Sequence, residues 1–329
     1  MEGVLAFTVQ NRSARRLVPP SISYADRWRA ASGYNTPVER RLDLGSFGSL
    51  TAELAVAVAI DPGLAQTLTD ARLQLHHAAQ LATATGISYL PAEPDDSHTN
   101  LEWVESLRAL AARVIPAPQP FRALVQPADL SLSIAGEDNQ IVASTLLHGL
   151  TMDDAANWLR ARIAERGADG DRLTLKRHYE IPHHDVDDGA TFDTKNAAAL
   201  AQLDAWYFAA SKALEYVRSS TTDASEIRCW PHHFDIATLI DLGGGKTIGV
   251  GMEPGDQYYD EPYFYVNMSP SPKPEAATAS LGGGGTWHTD EWVGAVLPGS
   301  RLGEEPKEQV HAFLDSAILA ARTIQRGNS

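Results

Sequence analysis

Phe121-Arg122-Ala123-Leu124-Val125, Leu130-Ser131-Leu132-Ser133-Ile134 and Ile141-Val142-Ala143-Ser144-Thr145-Leu146-Leu147 follow one another closely in the sequence. Pro127-Ala128-Asp129 and Gly136-Glu137-Asp138-Asn139 lie between them. Each run has the period-two look of a strand, and the separators are turn-formers. A parallel neighbour would need a crossover of roughly a dozen residues or more, so these runs must pair antiparallel. The class that follows is α+β, with antiparallel sheet and packed helices.

On the N-terminal side, Leu64, Leu68, Leu73, His76, His77 and Leu81 fall near one stripe of a helix. Asn100 is expected to open a second helix, with Leu101, Val104, Leu107, Leu110 and Ala111 facing inward and the prolines of residues 116–120 ending it. Residues 52–60 form an apolar run closed by Asp61-Pro62-Gly63. On the C-terminal side, Thr151 with Asp154 reads as a capping box, aspartate taking the usual glutamate place. A strand is expected at residues 173–179 and a long helix at 196–219. Further strands are expected at 227–239, 247–252, 263–268 and 293–297, and a closing helix at 307–326. Strands followed by a helix, twice over, suggest one α+β domain over residues 61–329 made of two similar halves, about 61–195 and 196–329. Residues 1–60 are read as an N-terminal segment packed on that body.

The chain has 329 residues and a formal net charge of −15, with no basic cluster that could release counterions from a phosphate backbone. A nucleic-acid partner is the last expectation on that ground, and none is expected. A lone cysteine, Cys229, allows neither an intramolecular disulfide nor a thiolate cage. No run approaches the ~18 apolar residues of a membrane span, so a soluble, cytoplasmic protein with a small-molecule partner is expected.

The densest chemistry lies in Arg228-Cys229-Trp230-Pro231-His232-His233-Phe234-Asp235-Ile236-Ala237. On a continuous strand, His233 and Asp235 would share one face. With His288 they have the residue types of a two-histidine, one-carboxylate site for a divalent metal such as iron, zinc or manganese. His232, Asp235 and Glu180 are the acid–base candidates. Arg301 is placed to clamp a substrate carboxylate, with Trp287 and Tyr259 as aromatic walls. Against this, histidine followed two residues later by an acid occurs four times in the chain, so a hydrogen-bonded structural cluster is the plain alternative. Pro182-His183-His184-Asp185 echoes Pro231-His232-His233-Phe234-Asp235 and would line the same cleft or form a solvated loop. Gly243-Gly244-Gly245-Lys246-Thr247 lacks the first glycine of a phosphate loop and is followed by a strand, so it reads as a hairpin turn. The glycines at 282–285 suggest either the hinge of a lid or a floppy surface loop pinned by Trp287 and Trp292 in the core.

The order of Glu180-Ile181-Pro182, Phe234-Asp235-Ile236-Ala237, the aromatic strand from Tyr263 into the proline-rich turn ending at Pro272, and Leu297-Pro298 before the last helix resembles a bacterial family catalogued only as a domain of unknown function. The likeness runs from about His76 to the C-terminus. It implies no activity, substrate or cofactor. It does imply that Phe234 and Asp235 belong to a shared scaffold, while His232 and His233 stand where the family has other residue types. Two functions stay open: an enzyme acting on a small polar molecule in a His/Asp-lined cleft, or a non-catalytic ligand-binding or interaction protein with aromatic loops at Tyr258 and Trp287.

Overall fold

In the computed structural model, which describes residues 65–327, a long helix α1 (Ala65–Tyr89) leads into an antiparallel sheet. The sheet consists of β1 (Glu102–Val104), β2 (Ala109–Ala111), β3 (Phe121–Gln126), β4 (Ser131–Gly136) and β5 (Ile141–Leu146), paired in chain order. The three-strand meander forms as the sequence predicts. The expectations for residues 1–60, including the apolar run at 52–60, lie outside the described residues.

The helix expected from Asn100 is instead the β1–β2 hairpin. Arg108 takes a left-handed φ of 45° after a single 3-10 turn and sends the chain back, pairing Trp103 with Leu110 and Val104 with Ala109. The apolar residues serve two faces. Leu101, Trp103 and Leu110 enter the main core, while Val104, Ala109 and Ala111 join Leu124 and Ala135 on the other side of the sheet. Their spacing of three and four was a by-product of that division.

Helix α2 (Met152–Glu165) starts at the expected capping box. Thr151 Oγ1 accepts the Asp154 amide at 3.1 Å, and the Asp154 carboxylate accepts the Thr151 amide at 3.1 Å. Residues 173–179 form no strand; they run irregularly after a short 3-10 turn. Helix α3 (Ala197–Ser220) then precedes a second antiparallel sheet. Its strands are β6 (Arg228–Cys229), β7 (Ile236–Gly243), β8 (Lys246–Glu253), β9 (Tyr263–Ser269), β10 (Thr286–His288) and β11 (Gly294–Pro298), in the order β10-β11-β9-β8-β7-β6. Helix α4 (Pro306–Gly327) closes the fold. The β7–β8 connection is the predicted hairpin turn, with Gly243, Gly244 and Gly245 all at positive φ.

One hydrophobic core runs through both sheets and all four helices. It takes in Leu75 from α1, Phe121 from β3, Trp206 from α3, Phe264 from β9 and Phe313 from α4. Each such side chain contributes roughly 1.5–3 kcal/mol by leaving water. The inner edges of the two sheets are stitched together. Leu101 N–H donates to Cys229 O at 2.9 Å, and Cys229 N–H donates back to Leu101 O at 2.8 Å. Among the described residues, no helix is long and apolar enough to cross a membrane.

Candidate functional site

The strand expected at residues 227–239 breaks between β6 and β7 into a tight turn. Trp230 O accepts the amides of His233 and Phe234 at 3.2 and 2.6 Å, and Trp230 N–H donates to Asp235 O at 3.0 Å. Phe234 sits at φ 73°, a left-handed conformation that costs a bulky residue on the order of 1–3 kcal/mol. Helix α1 holds this turn with one of its faces. His76 Nε2–H and Gln80 Nε2–H both donate to Pro231 O, at 2.8 and 2.9 Å, and the His76 ring stacks on Phe234 with centroids 4.5 Å apart. Tyr207 from α3 adds a hydroxyl bond to Phe234 O at 2.6 Å.

The next residue of α1 holds the echoing motif. His77 Nε2–H donates to Pro182 O at 3.0 Å, and Tyr179 OH reaches Gln80 at 2.8 Å while its ring lies 5.7 Å from that of His232. The two proline–histidine motifs therefore meet on one helix, and residues 182–188 are docked at Pro182 while His183 stays exposed and bonded to Asp188.

Burial holds His76 neutral, depressing its pKa to about 3, with the bond to Pro231 O acting in the same direction as protonation and too weak to offset it. The sign follows directly. Between the ordinary value of 6.5 and about 3 the unfolded chain binds a proton that the folded chain does not, so stability falls as pH drops through that window. We expect a slope of up to about 1.4 kcal/mol per pH unit from this one ring. Urea midpoints of wild type and His76→Gln, measured from pH 7 to pH 4, should diverge in slope. Equal slopes would mean that His76 titrates as freely in the fold as in the unfolded chain.

Beyond the turn, β7, β8 and β9 carry a polar cluster on the sheet face away from the main core. Tyr265 pairs across β8 with Gly251, which pairs with Ala237. A Cβ at Gly251 would come within 2.6 Å of the Tyr265 ring. Glycine there lets the tyrosine lie flat across β8, so that its hydroxyl donates to Asp235. Tyr263 OH donates to Asp256 at 2.9 Å, and the other Asp256 oxygen accepts the amides of Tyr258 and Tyr259 at 2.8 and 2.9 Å. That last pair of bonds shapes the loop after β8.

Two members of the cluster stand apart. Arg72, one helical turn before His76, is 9% exposed, and Glu253, at the end of β8, is 8% exposed. Neither side chain has a hydrogen bond or an ion pair with another described residue. Gly255, at φ 118°, makes room for the guanidinium; a Cβ there would lie 3.0 Å from Arg72 Nη1. Burial pushes the Glu253 carboxyl well above the usual carboxylate range, and the negative charges of Asp235 and Asp256 push it further, against Arg72. Burial likewise lowers the affinity of Arg72 for its proton, opposed mainly by Glu253, Asp256 and Asp260.

The residues singled out from the sequence are dispersed. Among the described residues, no three His, Cys, Asp or Glu side chains come together to hold a metal, so the set of His233, Asp235 and His288 is not assembled. The reason is the turn: it leaves His233 exposed and buries Asp235 beneath Tyr265. His288 lies in β10, where Nε2–H donates to Asp290 O at 2.6 Å and Nδ1 accepts the Tyr259 hydroxyl at 3.1 Å. Its ring stacks on Trp292 at 4.5 Å. His232 is half-buried beside Tyr179, and Glu180 is exposed. Arg301 is exposed and donates to Gly284 O at 3.3 Å, so it is no buried clamp. Trp287 packs on the core and donates to Ala279 O at 2.8 Å. Tyr259 does reach the cluster, its ring 4.6 Å from that of Tyr263. The glycines after Leu281 dock on α4. Gly282 N–H donates to Ser316 at 2.7 Å, and a Cβ on Gly283 would lie 2.1 Å from Gln309 O. Cys229 is fully buried, and burial raises its thiol far above the range of a nucleophile.

Sequence reasoning missed Arg72, Glu253, Asp256, Tyr263 and Tyr265 as site residues. A signal existed for the first: Arg72 stands four residues from both Leu68 and His76, a charge set into an inward-facing stripe. Comparison with protein families, with curated proteins and with solved structures finds no match for this chain.

Proposed function

We propose that the chain is an acid–base enzyme acting on a small carboxylic acid bound between Arg72 and Glu253. The observation that carries this reading is the pair itself: two ionisable side chains, each more than nine-tenths buried, without a partner among the described residues in a cluster whose other acids accept tyrosine hydroxyls. A buried guanidinium with no acceptor costs several kcal/mol, and folds retain such a cost where a ligand offsets it. A carboxylate matches the planar fork of arginine and would neutralise it. Glu253, holding its proton, is then the general acid. Asp235, whose carboxylate accepts the Tyr265 hydroxyl, is the base beside it.

The second reading is a non-catalytic binding protein, favoured by the aromatic box of Tyr258, Tyr259, His288 and Trp292 at the margin of the cluster.

Calorimetric titration with acetate, lactate and malonate tests binding, and proton NMR in D2O reads exchange of their carbon-bound hydrogens. We expect at least one acid to bind, Arg72→Met to weaken it tenfold or more, and Glu253→Gln to keep binding while slowing exchange by about 10²-fold or more. Binding without exchange in the wild type would move the chain to the second reading. Failure of all three acids to bind the folded protein would end the carboxylate assignment.

A further inference from the structure

A second place in the fold has donors without acceptors, and it is independent of the Arg72 cluster. Where the edges of the two sheets meet beside α3, a cleft of about 400 Å³ opens, lined by residues that include Asn100, Trp103, Arg113, Arg218 and Arg228. Asn100 is 2% exposed and Trp103 is 8% exposed, yet Asn100 Nδ2 and Trp103 Nε1 have no acceptor. The amide orientation is fixed, because Asn100 Oδ1 accepts Arg113 Nε at 3.2 Å.

The charges of the cleft do not cancel internally. Its four glutamates share three neighbouring cations. Glu102 pairs with Arg122 at 2.8 Å, Glu226 with Arg228 at 2.9 Å, and Glu215 with Lys212 at 3.1 Å, and Lys212 also pairs with Glu105. Arg113 and Arg218 stand in no ion pair among the described residues, and with them the cations around the cleft exceed its glutamates by one. Arg113 spends Nε on Ser97 O and Asn100 Oδ1, and Arg218 has no hydrogen bond or ion pair among the described residues. Arg113 also feels the positive charge of Arg228 directly, after burial the largest influence against its own charge. Two guanidinium groups without an ion pair, one positive charge in excess of the glutamates, and two buried N–H donors without acceptors lie around one opening.

We infer that this cleft binds a small oxyanion, held by Arg113 and Arg218 and by the N–H groups of Asn100 and Trp103. A tetrahedral phosphate or a planar carboxylate satisfies the same donors, and the cleft has room for the rest of a small organic molecule behind the anion.

The test uses the full chain with ¹⁵N-labelled tryptophan, titrated with inorganic phosphate and separately with acetate. Trp103→Phe assigns the indole N–H signal. The expected result is a saturable shift of that signal with at least one of the two anions, and the stronger of them identifies the oxyanion. Arg218→Gln, an exposed substitution that leaves the fold alone, should raise Kd tenfold or more, and Arg113→Gln should do the same. Arg301→Gln and Arg72→Met should leave Kd unchanged, which separates this site from the Arg72 cluster. Absence of a saturable shift with both anions, or equal affinity in wild type, Arg218→Gln and Arg113→Gln, would overturn the assignment.

Discussion

Arg72→Met should yield a protein more stable than the wild type, by about 1–3 kcal/mol, the cost of leaving a buried donor without an acceptor. The gain arises because Arg72 is desolvated without an ion pair or hydrogen bond in return. Methionine has similar reach, fills irregular space and leaves no charge behind. Glu253→Gln should act in the same direction, and its gain depends on pH. The folded carboxyl holds its proton well above the ordinary value of 4.5. Wild-type stability from this group is therefore complete below that value and is lost as pH rises from it toward the folded value. Glutamine removes the loss, so the variants should match near pH 4 and separate by more than about 1 kcal/mol at pH 8, the low end of the cost of a buried unpaired polar group. Urea denaturation at both pH values reads the difference. A destabilised Arg72→Met would show that the guanidinium has structural partners and would remove the main support for a ligand site there.

Phe234→Ala should be the most damaging single change near the site, costing about 3–5 kcal/mol. Phe234 is 1% exposed and packs between the His76 ring at 4.5 Å and the Tyr207 ring at 5.5 Å. Its truncation leaves a cavity between α1, α3 and the turn, while the left-handed backbone still has to be held. The same packing supports Asp235, one residue on, so the variant should also loosen the Tyr265 bond. The measurement is a chemical denaturation curve beside Tyr207→Phe, which removes one buried hydroxyl bond and should cost about 1–3 kcal/mol. Equal costs would show that the turn is held by its hydrogen bonds more than by packing.

Most of the secondary structure could be read in the sequence where a single face of an element is buried. Residues 121–147 alternate, Thr151 and Asp154 cap, and residues 196–219 are long enough for helical period to stand out. Residues 100–111 could not be read because Leu101 and Val104 feed different faces of a hairpin and mimic one helical stripe. Residues 227–239 failed for a sharper reason: nothing in Phe234 announces a positive φ, since the conformation is imposed by His76, Gln80 and Tyr207 from distant elements. That turn undid the strand spacing on which the His233 and Asp235 pairing rested. Asp235 and Tyr259 were recognised as site residues, whereas Arg72 and Glu253 were not, because being unpaired is a property of three-dimensional surroundings and leaves no mark on a residue's own letter.

The seam between Leu101 and Cys229, together with the face of α1 that carries Arg72, His76 and Gln80, bears on whether the two apparent halves could ever live apart. A chain cut near residue 195 would keep α1 but strip its polar face of the turn it grips. It would also bare the Leu101 amide and carbonyl at a sheet margin. The complementary piece would keep the Tyr207 bond to Phe234 O but lose the His76 stack and the grip of His76 and Gln80 on Pro231 O. A cut at residue 195 would therefore produce two fragments, each missing contacts that the other supplies.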